Sequence, residues 1–253
     1  MAVRGVMFDL GGTLLHYNAP NTWWEDTEKT GARGIYRSLR ERGYVLLPED
    51  EALPAAWDHA LALWSTLTQG NHNVRNLKLD HFTRTLAARW GIDGLADATV
   101  NALSQAYMTA IQALVYPLNG AAETLRALRQ QGYRLGLISN TIWPGSAHIA
   151  DLDRFGLTPY LERLTFSGDA EAWKPFGEVF QLGLDALDLQ PDQAIFVGDS
   201  LYFDVWGAQQ AGMNGVWIEQ PRAWLPEGME VTPDATITAL PDLLPLVDEW
   251  QNP

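Results

Sequence analysis

Cysteine is absent from all 253 residues, which excludes disulfide frameworks, thiolate zinc sites and cysteine nucleophiles. Lysine is scarce: Lys29, Lys78 and Lys174 are the only three. With 17 basic residues against 31 acidic ones, the formal net charge is −14, and no stretch concentrates the positive charge. Phosphate backbones and anionic membranes repel such a chain, so neither nucleic acid nor a membrane is expected as a partner. No apolar segment approaches the roughly 18 residues needed to span a bilayer. The N-terminus lacks the basic start, apolar stretch and small-residue cleavage site of a signal peptide, and cytoplasmic residence is the expectation. Internal repeats and low-complexity tracts are missing too. Any phosphate handled by this chain needs local neutralisation, by a metal ion or by one well-placed cation.

What is present is apolar material in short pieces. Hydrophobic residues make up 47% of the chain and include eleven tryptophans, ample for a packed core. The length suits one large domain or two modest ones. Short apolar runs read as buried strands at 3–9, 133–139, 163–166, 193–199 and 214–219, with a weaker one at 234–237. Amphipathic helical stretches alternate with them at 120–131, 177–189 and 202–212. Alternation of this kind predicts a Rossmann-like parallel α/β sheet with helices on both faces. Residues 17–116 break the pattern: no convincing strand, and four helical stretches near 22–43, 51–69, 77–91 and 97–114. They read as an α-helical insertion, leaving a core of 1–16 and 117–253, with hinges near Leu15–Asn18 and Val115–Asn119.

Four stretches stand at the carboxyl ends of the expected strands, where such sheets bind ligands. They are Asp9 with Gly11, Gly12 and Thr13; Ser139 with Asn140; Lys174 before Pro175 and a helix; and Asp199 with Ser200 and, five residues after Asp199, Asp204. Each alone has a plainer reading, as a turn residue, a helix cap or a solvated lysine. Together they make a coherent set. Asp9 and Asp199 offer hard oxygen ligands to a magnesium-type ion. The Ser139 hydroxyl and the backbone amides near Gly12 and Asn140 could cradle an anion, and Lys174 adds a point charge. An anionic group so neutralised against Asp9 is open to in-line attack by its carboxylate.

The set resembles the haloacid dehalogenase-like (HAD) hydrolase superfamily, mostly phosphatases, with an α-helical (type 1) cap. The likeness covers essentially the whole chain, most specifically "YPLNGAAETLRALRQQGYRLGLISNT" and "VGDSLYFDVWGAQQAGM". It implies Asp9 as the nucleophile that forms an aspartyl intermediate, with Ser139 and Lys174 binding the transferred group. It implies Mg2+ held by Asp9, Asp199 and the Gly11 carbonyl, with Asp204 in support. It also implies a cap that closes to exclude water and select a small phosphorylated or other anionic substrate.

Phosphatases of this superfamily carry Asp-x-Asp, whose second Asp acts as acid and base; here that position is Gly11. Loss of a general acid–base costs ~10²–10⁴-fold in rate. His16 is the nearest replacement in sequence, though it also reads as an ordinary linker residue. Other activities stay open: carbon–halogen cleavage, carbon–phosphorus cleavage using a cap lysine (Lys29 or Lys78), or anion binding without turnover. "DLGGT" also resembles a sugar-kinase phosphate loop, but the helical insertion and the Asp199 stretch argue against that. In the cap, Trp23 and Trp24 read as packing aromatics, and His72, Arg75 and Asn76 as candidate substrate contacts. Monomer and homodimer are both compatible with the sequence.

Overall fold

The apolar run that ends at Asp9 forms β1 (Gly5–Phe8), in which every residue is buried. Unbroken burial, without alternation, marks a strand covered on both faces. The computed structural model describes residues 3–68, 78–221 and 223–251. After β1 come β2 (Leu15–His16), the helices α1 (Trp24–Glu41), α2 (Glu49–Thr68), α3 (Leu79–Arg89) and α4 (Asp97–Gln112), then β3 (Tyr116–Pro117). The alternating part follows as α5 (Ala121–Gln130), β4 (Arg134–Ser139), α6 (Gly145–Arg154), β5 (Arg163–Phe166), α7 (Ser167–Ala170), α8 (Gly177–Ala186) and β6 (Ala194–Gly198). A π-helical turn (Leu201–Trp206) runs into α9 (Gly207–Gln210), then β7 (Asn214–Ile218), β8 (Ala235–Ile237) and α10 (Leu243–Gln251).

The strands form a six-stranded sheet in the order β5-β4-β1-β6-β7-β8, and each neighbouring pair is parallel. Met7 is level with Gly136 on β4 and with Phe196 on β6, so these residues and Ile138 share one face. That face is covered by Val179, Phe180 and Leu184 of α8 and Ala208 of α9. Burying a phenylalanine such as Phe180 stabilises the fold by about 1.5–3 kcal/mol. Buried Leu125 and Leu128 of α5 serve the opposite face, where α5 packs on β4 and against α10.

The chain separates into two compact units. One, the sheet unit, comprises Met1–His16, Tyr116–Thr141 and His148–Pro253; the other, the helical unit, comprises Tyr17–Val115 and Ile142–Ala147. The stretch 142–147, which the sequence reading left in the core, thus packs with the helices. Helices α1 to α4 stand where the sequence places them, their ends shifted by up to two residues. The sequence does not reveal the antiparallel pair β2–β3, which binds the two connections side by side through Leu15↔Pro117 and His16↔Tyr116. Two residues are too few for a periodic signal. Helix α6 is hidden by Pro144 and Gly145 at its start, and α10 by Pro245 in its first turn. The expected helix 202–212 is also different, because its first part winds as a π-helix. Among the described residues no helix is long and apolar enough to cross a membrane.

Candidate active site

Asp9 follows the central strand β1, and its amide donates to the Val197 carbonyl on β6 at 2.9 Å. Strand register sets Ser139 and Asp199 one residue beyond the level of Asp9, on β4 and past β6 respectively. The chain passes from β1 to β4 on one side and returns to β6 on the other. This is the switch point at which such sheets open a crevice.

Lys174 lies at the centre of the cluster. Its Nζ donates to Asp9 Oδ1 and to Asp204 Oδ1, each at 2.6 Å, and all three side chains are buried. Asp204 is held from its other oxygen by the Ser200 amide at 2.9 Å. Ser200 in turn caps the π-helical turn, its Oγ accepting from the Phe203 amide at 3.1 Å. Gly198 is obligatory here, because a Cβ would lie 2.3 Å from Asp204 Cγ. Gly12 is the second such glycine: its φ is 83° and a Cβ would sit 2.3 Å from Asp199 Oδ2.

Carboxylate oxygens of Asp9, Asp199 and Asp204 lie within 4.8 Å of one another. Burial pushes the Asp9 pKa up to about 6; Lys174 pulls it down and Asp204 adds to the rise. Asp199 is driven well above the usual carboxylate range by burial and by the charges of Asp9 and Asp204. Burial works against the Lys174 charge, but Asp204 and Asp9 outweigh it and hold its pKa above the ordinary lysine value. With all three carboxylates ionised, the one ammonium would leave an excess charge of two in the cluster. Both Asp204 oxygens are bonded, so Asp9 and Asp199 are the ligands left to share. An all-oxygen set with an excess charge of two suits a hard divalent cation such as Mg2+.

Not every expected donor is available. The Gly12 amide, expected to face an anion, donates instead to the Leu15 carbonyl at 2.8 Å and closes the turn after Asp9. The Thr13 amide likewise points to the Leu10 carbonyl at 3.3 Å, while its buried hydroxyl has no hydrogen-bond partner among the described residues. The Asn140 side chain is committed as well: Nδ2 donates to the Lys174 carbonyl and Oδ1 accepts from the Lys174 amide, both at 2.8 Å. It positions the lysine and leaves only its backbone for an anion. Ser139 is buried at the end of β4.

His16 lies in β2 with its ring 4.8 Å from that of Tyr116, and burial lowers its pKa. Lys29 pairs with Glu25 on α1. Trp24 packs edge-on against Trp57 and Trp64, while Trp23 is about half exposed. His72, Arg75 and Asn76 lie outside the described residues.

Sequence reasoning missed two side chains, one on β7 and one just past it, that tie this site together. Trp217 Nε1 donates to the Asp199 carbonyl at 3.0 Å, and Gln220 Nε2 to the Gly12 carbonyl at 3.3 Å. They sit 18 and 208 residues from their partners, and nothing local in the sequence announces either contact.

The sheet order β5-β4-β1-β6-β7-β8, with an Asp–Lys–Asp cluster beyond its central strand, sets the frame of the candidate site. The chain belongs to the haloacid dehalogenase-like hydrolase family, whose model matches residues 3–212. It is 33% identical to glyceraldehyde 3-phosphate phosphatase of Pyrococcus furiosus, over 51% of this chain and 53% of that protein, about half its length. It is 32% identical to ribulose-1,5-bisphosphate 5-phosphatase of Halopiger xanaduensis, over 85% of this chain and 84% of that one. Among solved structures, the magnesium-bound HAD-hydrolase YfnB of Bacillus subtilis matches with a TM-score of 0.69. At 20% identity over 98% of this chain and 100% of that chain, that is a likeness of fold.

Proposed function

We propose that this protein is a magnesium-dependent phosphatase for a small phosphorylated metabolite, acting through an aspartyl-phosphate on Asp9. The observation that carries this reading is the Lys174 ammonium bridging Asp9 and Asp204 at 2.6 Å, with Asp199 alongside. A buried carboxylate so flanked is aimed and charge-compensated for attack. Above its pKa of about 6, Asp9 is ionised and carries the electron pair that forms the new O–P bond. The bond from phosphorus to the leaving oxygen breaks, and that oxygen takes the displaced pair. Water then attacks the acyl phosphate, releasing inorganic phosphate and returning the Asp9 carboxylate. Lys174 stays within reach of Asp9 through both steps and holds the negative charge in place. Mg2+, held by Asp9, Asp199 and the Gly11 carbonyl, would neutralise the charge that brings two anions together. Ser139 and the Asn140 backbone supply donors to the phosphoryl oxygens, and the helical unit serves as the cap that selects substrate.

Gly11 has no side chain to protonate the leaving oxygen, so turnover depends on how readily that oxygen leaves. Aryl and acyl phosphates are the favoured class, and alkyl phosphates the disfavoured one. The reading is tested by assaying an aryl phosphate with magnesium. Wild type should release phosphate, and Asp9→Asn should not. Turnover that survives in Asp9→Asn, or none in wild type, contradicts it.

A further inference from the structure

We infer that Thr141, His148 and Ser167 are positioning residues for the loop Ser139–Asn140, and that the stretch between Thr141 and His148 ties this loop to the helical unit. The inference rests on reading Ser139–Asn140 as the anion-contacting loop of the proposed phosphatase.

The observations lie just past Asn140. The Thr141 amide donates to Ser167 Oγ at 2.7 Å, and the same hydroxyl donates back to the Thr141 carbonyl at 3.0 Å. One side chain thus fixes both polar groups of the Thr141 backbone. The Thr141 hydroxyl is 2.8 Å from His148 Nε2. All three residues are buried. The His148 ring stacks at 5.4 Å and 20° on Phe166, the strand residue level with Ser139. Burial holds the His148 pKa down to about 3, so the imidazole is a neutral, packed peg and contributes no charge.

The loop is therefore pinned along its length. Ser139 is held by sheet pairing with β5, Asn140 by its two bonds to Lys174, and Thr141 by Ser167 and His148. What is left to meet a ligand is the Ser139 hydroxyl and the loop's outward backbone. Between the two hydrogen-bonded residues the chain leaves the sheet unit at Ile142 and returns after Ala147. Within that excursion the Ile142 carbonyl accepts from the Leu79 amide at 2.8 Å. Trp143 sits edge-on to Tyr17 and Tyr107 at 5.9 and 6.1 Å, and the Ala147 carbonyl accepts from Gln112 Nε2 at 3.2 Å. The Thr141–His148 bond closes the base of this excursion. The chain thus passes between the two units after His16, Val115, Thr141 and Ala147.

The test uses the full chain with magnesium, an aryl phosphate as substrate and inorganic phosphate as the probe ligand. Thr141→Val and His148→Gln should each raise KM for the ester and Kd for phosphate about tenfold, the effect of losing one net hydrogen bond. In both variants kcat should stay within about threefold and magnesium affinity should be unchanged; Thr141→Ser, which keeps the hydroxyl, should behave as wild type. A purely structural role would lower stability and leave this KM-against-kcat split unmoved. Unchanged phosphate affinity in folded Thr141→Val and His148→Gln overturns the inference alone. A wild type that binds no phosphate overturns the phosphatase reading and this inference with it. If the variants fail to fold, hydrogen exchange on wild type decides: amides of 142–147 should gain protection when phosphate binds, and no change overturns the link.

Discussion

His148 illustrates how one side chain joins site and stability. Its folded pKa, about 3, lies below the ordinary histidine value of 6.5 because burial disfavours the imidazolium. A group whose folded pKa is depressed contributes stability above its unfolded pKa and loses it as pH falls. The window here runs from about 6.5 down to about 3. Between pH 7 and pH 5 the expected loss from His148 alone is about 2 kcal/mol, at 1.36 kcal/mol per pH unit below 6.5. Denaturant unfolding of wild type and His148→Gln at both pH values isolates it: the variant should lack that part of the acid destabilisation. Parallel pH dependence in the two proteins contradicts a buried neutral histidine. At this scale the sequence is only partly legible. Asp9, Lys174 and Asp199 announce themselves because each comes after its own expected strand, and Asp204 because it lies five residues beyond Asp199. Ser167, His148, Trp217 and Gln220 are ordinary polar or aromatic residues, and their roles arise from contacts between distant parts of the chain. The partner of the Gly12 amide, the Leu15 carbonyl, is likewise a matter of turn geometry.

The elements show why strand ends matter more than strand interiors. Short apolar runs make the strands easy to read, because full burial on both faces requires them. The π-helical turn after β6 is another matter. It places Asp204 so that Oδ2 meets the Ser200 amide while Oδ1 meets Lys174, and its sequence, LYFDVW, reads as an ordinary helix. π-Helical turns concentrate at functional sites, and this one lies directly beside Asp199. The close approach of Gly198 to Asp204 gives a sharp prediction. Gly198→Ala must push Asp204 away, since its Cβ would lie 2.4 Å from Asp204 Cβ. Overpacking of this kind costs about 1–3 kcal/mol. Loss of the Asp204 contact to Lys174 should also lower kcat by more than tenfold. Thermal unfolding and steady-state assay of the folded variant check both; wild-type stability together with wild-type kcat contradicts the geometry.

The whole molecule carries a net charge of −14, and its candidate site gathers three of the acidic residues, Asp9, Asp199 and Asp204, into one cluster. Magnesium should therefore stabilise the fold by binding it and not the unfolded chain, by about 2.7 kcal/mol at a hundredfold excess over Kd. Asp9 takes up a proton below about pH 6, and the raised Asp199 pKa acts in the same direction. Protons thus compete with the metal, and the magnesium-induced rise in Tm should be larger at pH 7.5 than at pH 5 and vanish in Asp199→Ala. A rise independent of pH, or intact in that variant, places the metal elsewhere. The most direct test of the central claim concerns the vacant side chain at position 11. The left-handed φ of the loop falls on the neighbouring Gly12. With magnesium present, wild type and Gly11→Asp are compared on an alkyl and an aryl phosphate. The account predicts that Gly11→Asp raises kcat/KM on the alkyl ester by about 10²-fold, within the usual range for a general acid–base, and changes the aryl rate far less. Wild type that already hydrolyses the alkyl ester as fast as folded Gly11→Asp contradicts it, and makes His16 the first residue to test as proton donor.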